Sequence, residues 1–383
     1  MKIVVRIIFI LLFPLLWLVS KIKGPRRYRG TLIPRKWLQV DMPDCHGSDG
    51  SPYYFFVKKG SSDDLLVSFS GGGVAWDEYS AGKPGGVVAT IFGKEGYYFP
   101  SASICRLLMF RSGGVRALND PANPFDTWNV VHIPYCTADF HAGRNEIVYG
   151  KNGSKRCHMG GEANTQAVMD RVKALFPMAK RLVISGESAG GYGCVAQGDT
   201  VASRYPEAQQ VTVISDGTQL LDPVWKKTAA EIWKTRPQLH ECLGEEGDLI
   251  GDWFVRLSGQ LNARYLHIVS PQDDVLIQFQ SKIGGGPFEI TPDGRKQFVR
   301  GLKKTVQRMV AEVPTYRCYI GEFERNEKTD TTAHTTLGST KRLNATPPQG
   351  PSLLEWIRNA IDGEDIPNVG LGLLEEYVEK YAP

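Results

Sequence analysis

Ser188 stands in Gly186-Glu187-Ser188-Ala189-Gly190-Gly191, directly after the apolar run Leu182-Val183-Ile184. A short buried strand, a turn of small residues and then a helix form the setting of a nucleophile elbow. The chemistry such a turn serves is acyl transfer. It lifts a serine hydroxyl above the strand ends and aims the next amide, that of Ala189, at the same space. Glycine is needed two positions either side of the serine because a Cβ there would meet neighbouring backbone. The pentapeptide alone is weak in a chain of 41 glycines, where an ordinary strand-to-helix turn is the plain reading. An oxyanion site, a base and an acid must come from elsewhere in the chain.

Ser70-Gly71-Gly72-Gly73-Val74-Ala75-Trp76-Asp77 follows the apolar segment Leu65-Leu66-Val67-Ser68-Phe69. Read as a phosphate loop ending at Gly82-Lys83, it would need glycine at 77 and Ser or Thr at 84. The chain has Asp77 and Pro84 instead, so that reading fails. Read as an oxyanion loop, Gly72 and Gly73 give backbone amides unobstructed access to a substrate carbonyl. In the order serine, acid, histidine, the base must lie beyond the acid. Pro271-Gln272-Asp273-Asp274 closes the strand over residues 265–270, and of the seven histidines only His334 follows it. It lies in the polar loop Thr331-Thr332-Ala333-His334-Thr335-Thr336. Asp273 is the preferred acid and Asp274 its competitor. Asp216, in Ser215-Asp216-Gly217 at an earlier strand end, is a more distant third and reads first as a turn or helix-capping carboxylate.

These groups require a particular scaffold. Apolar runs at residues 65–69, 129–133, 182–184, 211–215 and 265–270 predict strands, and residues 165–176 carry Ala167, Val168, Val172, Leu175 and Phe176 at helical spacing. The alternation predicts an α/β fold, a mostly parallel sheet covered by helices on both faces, over residues 24–383 as one domain. Residues 218–263, with Trp225, Trp233, Trp253 and Phe254, are expected as a helical cap, and loops around 74–125 and 218–260 as pocket walls.

A net charge of +4 over 383 residues, without a basic-aromatic pattern, excludes nucleic acid as a partner. Seven cysteines without a CxxC pair exclude a zinc site by pattern and leave disulfides open. The proposed chemistry needs no metal and no organic cofactor. Lys2 and Arg6 precede thirteen apolar residues, 7–19, and Lys21, Lys23, Arg26, Arg27 and Arg29 follow. Residues 1–23 therefore read as a signal-anchor or signal peptide, the uncleaved anchor being favoured because no small-x-small cleavage site is evident. This predicts a membrane-associated or secretory-pathway protein. The basic flank favours a cytoplasmic domain, while the sequons at Asn152 and Asn344 favour a lumenal one.

The ordered set Ser-Gly-Gly-Gly-Val-Ala-Trp-Asp (70–77), Pro-Tyr-Cys-Thr-Ala-Asp (134–139), Gly-Glu-Ser-Ala-Gly-Gly (186–191), Ser-Asp-Gly (215–217) and Ala-His-Thr (333–335) resembles the pectin acetylesterase/Notum family. The resemblance implies an α/β-hydrolase acting as a serine carboxylesterase on O-acyl esters, with Ser188 as nucleophile, Asp273 as acid and His334 as base. It implies Gly72, Gly73 and Ala189 as the oxyanion-hole region, and an acylated carbohydrate or acylated protein as substrate. Ala75 stands where many relatives carry a cysteine, so one family disulfide is expected to be absent. Leu276 stands where a glutamine often follows the acid. A lipase or thioesterase sharing only the elbow, and a non-catalytic binding protein on the same fold, are the alternatives.

Overall fold

The computed structural model describes residues 24–85, 95–103, 105–106, 113–347 and 350–383. The anchor or signal reading of residues 1–23 lies outside them. Among the described residues, no helix is long and apolar enough to cross a membrane.

The chain runs through β1 (Arg26–Arg27), β2 (Trp37–His46), β3 (Pro52–Lys58), β4 (Leu65–Phe69), β5 (Asn129–Ile133), the hairpin β6 (Asn145–Tyr149) and β7 (Lys155–Met159), then β8 (Arg181–Glu187), β9 (Gln210–Asp216), β10 (Arg264–Val269) and β11 (Tyr316–Ile320). All but the hairpin join one sheet in the order β1-β2-β3-β5-β4-β8-β9-β10-β11. From β5 to β11 every pairing is parallel, while β3 is antiparallel to both its neighbours. β4 and β5 are buried at every residue, which is why their sequences, LLVSF and NVVHI, are mainly apolar rather than alternating. The order of strands reverses around β4, whose carboxyl end lies between those of β5 and β8. This is the crevice in which open α/β sheets bind ligands.

The helix Gly161–Leu175 leads into β8, and the wholly buried helix Ala189–Ala196 follows it. Its glycines are closely approached: a Cβ on Gly193 would lie 2.6 Å from His141, and one on Gly191 2.5 Å from Thr218. Residues 218–263 hold short helices and the longer Leu249–Ser258. Their Trp225, Trp233, Trp253 and Phe254 are fully buried. Trp233 Nε1 donates to Ala75 O at 2.7 Å, and Trp225 and Trp233 pack on Phe140. Trp225 and Trp233 are thus core beneath the glycine loop, while Phe254 packs on Tyr265, His267 and Tyr316. All seven cysteines are free thiols, and burial pushes Cys45 and Cys157 up to about 11 and Cys318 to about 12.

Candidate active site

Ser188 holds φ 55° and ψ −126°, a left-handed conformation costing about 1–3 kcal/mol for a side chain-bearing residue. The tight turn is fixed by contact on all sides. Its amide donates to Asp216 O at 2.8 Å, and its carbonyl accepts from Gly191 N at 2.8 Å. A Cβ on Gly186 would lie 1.8 Å from Gly190 O, and one on Gly190 would lie 2.2 Å from Phe69 O. Both flanking glycines are thus required by backbone approach. Gly71 comes nearer still to the serine, its Cβ direction ending 2.6 Å from Ser188 Cβ.

His334 Nδ1 meets Asp273 Oδ2 at 2.7 Å. The other oxygen of Asp273 accepts from Val275 N and Leu276 N at 3.1 and 2.9 Å, because Asp273 caps the helix Asp274–Ile283. That cap leaves one oxygen directed at the imidazole. The acid turn and the histidine loop are stitched together by Thr332 N to Gln272 O at 2.8 Å and Asp274 N to Thr332 O at 3.2 Å. Thr332 Oγ1 donates to Ser270 Oγ at 2.7 Å, and Arg342 Nη1 donates to the carbonyls of His334 and Thr335, both at 2.9 Å. Burial would lower the His334 pKa, but the Asp273 carboxylate, with Asp216 and Asp274 farther off, outweighs it and holds the imidazole above its ordinary value. Nε2 of His334 is buried without a hydrogen-bond partner among the described residues.

Asp274 makes no side-chain hydrogen bond to His334 among the described residues; burial and the neighbouring Asp273 raise its pKa. Asp216 neither caps a helix nor touches the imidazole by hydrogen bond. Its Oδ2 accepts from Thr336 N at 2.6 Å and Leu337 N at 2.8 Å, holding the loop just past His334. Its neighbour Gly217, at φ +66°, leaves room for that loop, since a Cβ would lie 2.9 Å from Thr335 and 3.2 Å from His334.

Among the described residues, the amides of Gly72, Gly73 and Ala189 have no acceptor. Gly73 has φ +83°, and its Cβ would lie 1.9 Å from Tyr97 O, so only glycine closes this turn. The loop rests on residues 134–141. Tyr135 N donates to Ser70 Oγ at 2.8 Å, Ala75 N to Ala138 O at 2.9 Å, and Phe140 N to Tyr135 Oη at 3.0 Å. Asp139, fully buried, gathers Thr137 Oγ1 and the amides of His141, Gly143 and Gly161.

A cavity of about 410 Å³ holds Ser188 and His334 together, within the ~300–1,000 Å³ usual for ligand pockets. Gly71, Gly72 and Gly73 line it, and Tyr97, Phe99, Val275, Phe279 and Phe288 make it largely apolar. The expected wall at 74–125 contributes Gly85 and residues 96–99; a second wall comes from 275–288, with Phe288 packed on Tyr97, and no residue of 218–263 lines this cavity. That second wall escaped sequence reasoning because nothing in the pattern of residues 275–288 distinguishes a cavity-facing aromatic from a core one. The pairing of Glu187 with Arg116, at 2.9 Å beside the serine, likewise had no sequence signal.

A parallel sheet with an elbow serine after a central strand makes this an α/β-hydrolase fold. The family model for pectinacetylesterases matches residues 38–241, rather more than half of the chain. The chain belongs to the pectinacetylesterase family. Pectin acetylesterase 5 of Arabidopsis thaliana is 30% identical over 179 residues, 45% of this chain and 39% of that protein. The palmitoleoyl-protein carboxylesterase notum2 of Xenopus laevis is 24% identical over 191 residues, 49% of this chain and 36% of that protein. The chain thus spans about two fifths of the length of the curated relatives it matches. The crystal structure of the Drosophila Wnt deacylase Notum superposes with a TM-score of 0.57 over 86% of this chain and 95% of its own, at 17% identity.

Proposed function

We propose that the protein is a serine carboxylesterase that hydrolyses O-acyl esters through an acyl-enzyme. Ser188 is the nucleophile, His334 the base, Asp273 the orienting acid, and the amides of Gly72, Gly73 and Ala189 the oxyanion hole. The observation that carries this reading is His334. One ring nitrogen is hydrogen-bonded to a carboxylate, while the other, without a partner among the described residues, belongs to a residue lining the cavity with Ser188. In that arrangement Asp273 fixes the proton on Nδ1 and leaves Nε2 as the base. Nε2 takes the Ser188 proton as Oγ attacks the ester carbonyl. The developing oxyanion is received by the free amides, an effect worth about 3–4 kcal/mol per donor, at the positive end of the helix Ala189–Ala196. Collapse of the intermediate passes the proton from Nε2 to the departing alcohol. Water, deprotonated by the same nitrogen, then cleaves the acyl-serine bond and restores the hydroxyl.

The names of the relatives support an acylated carbohydrate or an acylated protein as substrate. The aromatic lining of the cavity favours acyl chains longer than acetyl. Residues 7–19 and the basic residues after them support an activity at a membrane or in the secretory pathway, with residues 24–383 acting as one hydrolase domain. The test is fluorophosphonate labelling of the full chain in detergent, with hydrolysis of p-nitrophenyl acetate, butyrate and octanoate. Labelling and a drop on the order of 10⁵–10⁶ in kcat for Ser188→Ala are expected. A folded protein that neither labels nor turns over would leave the non-catalytic binding role standing instead.

A further inference from the structure

Asp216 is a buried carboxylate that the proposed mechanism does not use, yet it lies between the mechanism's two moving parts. Its main-chain carbonyl accepts the Ser188 amide at 2.8 Å. Its side chain accepts the amides of Thr336 and Leu337 at 2.6 and 2.8 Å. These are the second and third residues after His334. A single residue at the end of β9 therefore ties the elbow turn to the histidine loop, whose Thr336 lies 120 residues beyond Asp216 in the chain. Thr335, between His334 and the held amides, has φ +61°, so the loop makes a sharp turn that has to be kept in place.

We propose that Asp216 is a positioning residue whose ionised carboxylate clasps the histidine loop to the nucleophile turn, setting the His334 imidazole over Ser188. This rests on Ser188 and His334 being nucleophile and base. Two charge-assisted bonds from one carboxylate are about twice as strong as neutral ones. A displacement of order 1 Å in a reacting group costs about 10²-fold in rate, so the clasp has leverage on kcat.

The charged groups facing Asp216 make the clasp sensitive to pH. Glu187 approaches from β8, itself paired with Arg116, His334 from the loop, and the Cys194 thiol from the helix beneath. Burial first, and the Glu187 charge second, push the Asp216 carboxyl up to about 7, against the opposing pull of the Leu337 and Thr336 amides and His334. The anionic clasp therefore forms as pH rises through neutrality. The Asp216 charge also helps hold the His334 pKa up. Removing that charge must move the acid limb of the activity profile, which requires a neutral imidazole, to lower pH.

The experiment compares pH profiles of p-nitrophenyl butyrate hydrolysis for the full-length wild type and Asp216→Asn, with rates normalised to fluorophosphonate-labelled sites, and for Ser188→Ala, with rates per folded protein. Asp216→Asn should lower kcat by about 10²-fold with KM little changed, and shift the acid limb down by roughly 0.5–1 unit. A residue that served only folding would reduce the labelled fraction and leave both the rate per site and the limb where they are. That result, with Ser188→Ala inactive, overturns the clasp alone, whereas an active Ser188→Ala overturns the triad and the clasp with it. Should Asp216→Asn not fold, hydrogen exchange of the wild type decides. Protection at Thr336 and Leu337, corrected for intrinsic rates, should fall between pH 8.5 and 5.5, and constant protection refutes the clasp.

Discussion

Asp273 and Asp274 are adjacent in the chain, but their carboxylates meet different partners. Asp273 spends one oxygen on two helix amides and the other on the imidazole, so replacing it by asparagine offers His334 an N–H or a neutral oxygen where the mechanism needs an anion. Under the proposed mechanism Asp273→Asn should lower kcat by ~10⁴-fold through the wrong tautomer. Asp274→Asn removes only a more distant charge that helps raise the His334 pKa. It should cost less than about tenfold, within the range of a perturbed base, and move the acid limb slightly downward. Steady-state kinetics of the two variants separates them, and equal losses would refute the assignment of Asp273. The order of motifs pointed only to the pair at 273–274, with Asp273 preferred and Asp274 left open; the capping that commits the first oxygen of Asp273 was not legible, because a strand-end carboxylate reads the same whichever helix amide it meets.

At the scale of elements, legibility followed burial. β4 and β5 are fully buried on both faces, and their apolar runs predicted Leu65–Phe69 and Asn129–Ile133 residue for residue. β2 escaped because its outer half carries Asp41 and Asp44 on exposed positions, and β11 because Tyr-Arg-Cys-Tyr-Ile is too short and mixed to show a period. The helix Pro292–Glu312 buries Phe298, Leu302 and Val306 yet hides that stripe among lysines and arginines. The elbow was readable for the opposite reason: close backbone approach admits no residue but glycine, and glycine is visible in sequence. Gly190→Ala forces a Cβ to 2.2 Å from Phe69 O, with no flexible side chain to give way. Overpacking of about 1–3 kcal/mol, a Tm lower by several degrees and weakened fluorophosphonate labelling are expected. Gly372→Ala, in the first turn of the helix Leu371–Tyr381 and with nothing within 4 Å, is the control and should leave stability unchanged or raise it by less than about 1 kcal/mol. Thermal melts that place both variants on the same side of wild type would contradict this account of the elbow.

For the molecule as a whole, the loop of residues 134–141 places two ionisable groups of opposite sense under the site. Asp139 is fully buried; desolvation pushes it up to about 6 although four hydrogen-bond donors pull it down. His141 Nε2 donates to Ser70 O at 3.1 Å, and burial lowers its pKa to about 4. A carboxyl whose folded pKa is raised contributes stability that is present below its unfolded value of ~3.9 and lost as pH rises through about 6. An imidazole whose folded pKa is depressed contributes stability that is present above ~6.5 and lost as pH falls toward 4. Each shift of some two units corresponds to about 3 kcal/mol across its window. The stability difference between wild type and Asp139→Asn should therefore shrink from pH 4.5 to 7.5, while that between wild type and His141→Asn should grow. Asparagine suits the left-handed backbone at His141, φ 60°, so the second comparison is not dominated by strain. Urea denaturation at the two pH values measures both differences, and parallel curves would mean that neither group titrates differently in the folded domain. Because Ser70, Tyr135 and Ala138 carry this loop's contacts to the glycine turn, the same titrations that change the domain's stability act on the support beneath the amides proposed as the oxyanion hole.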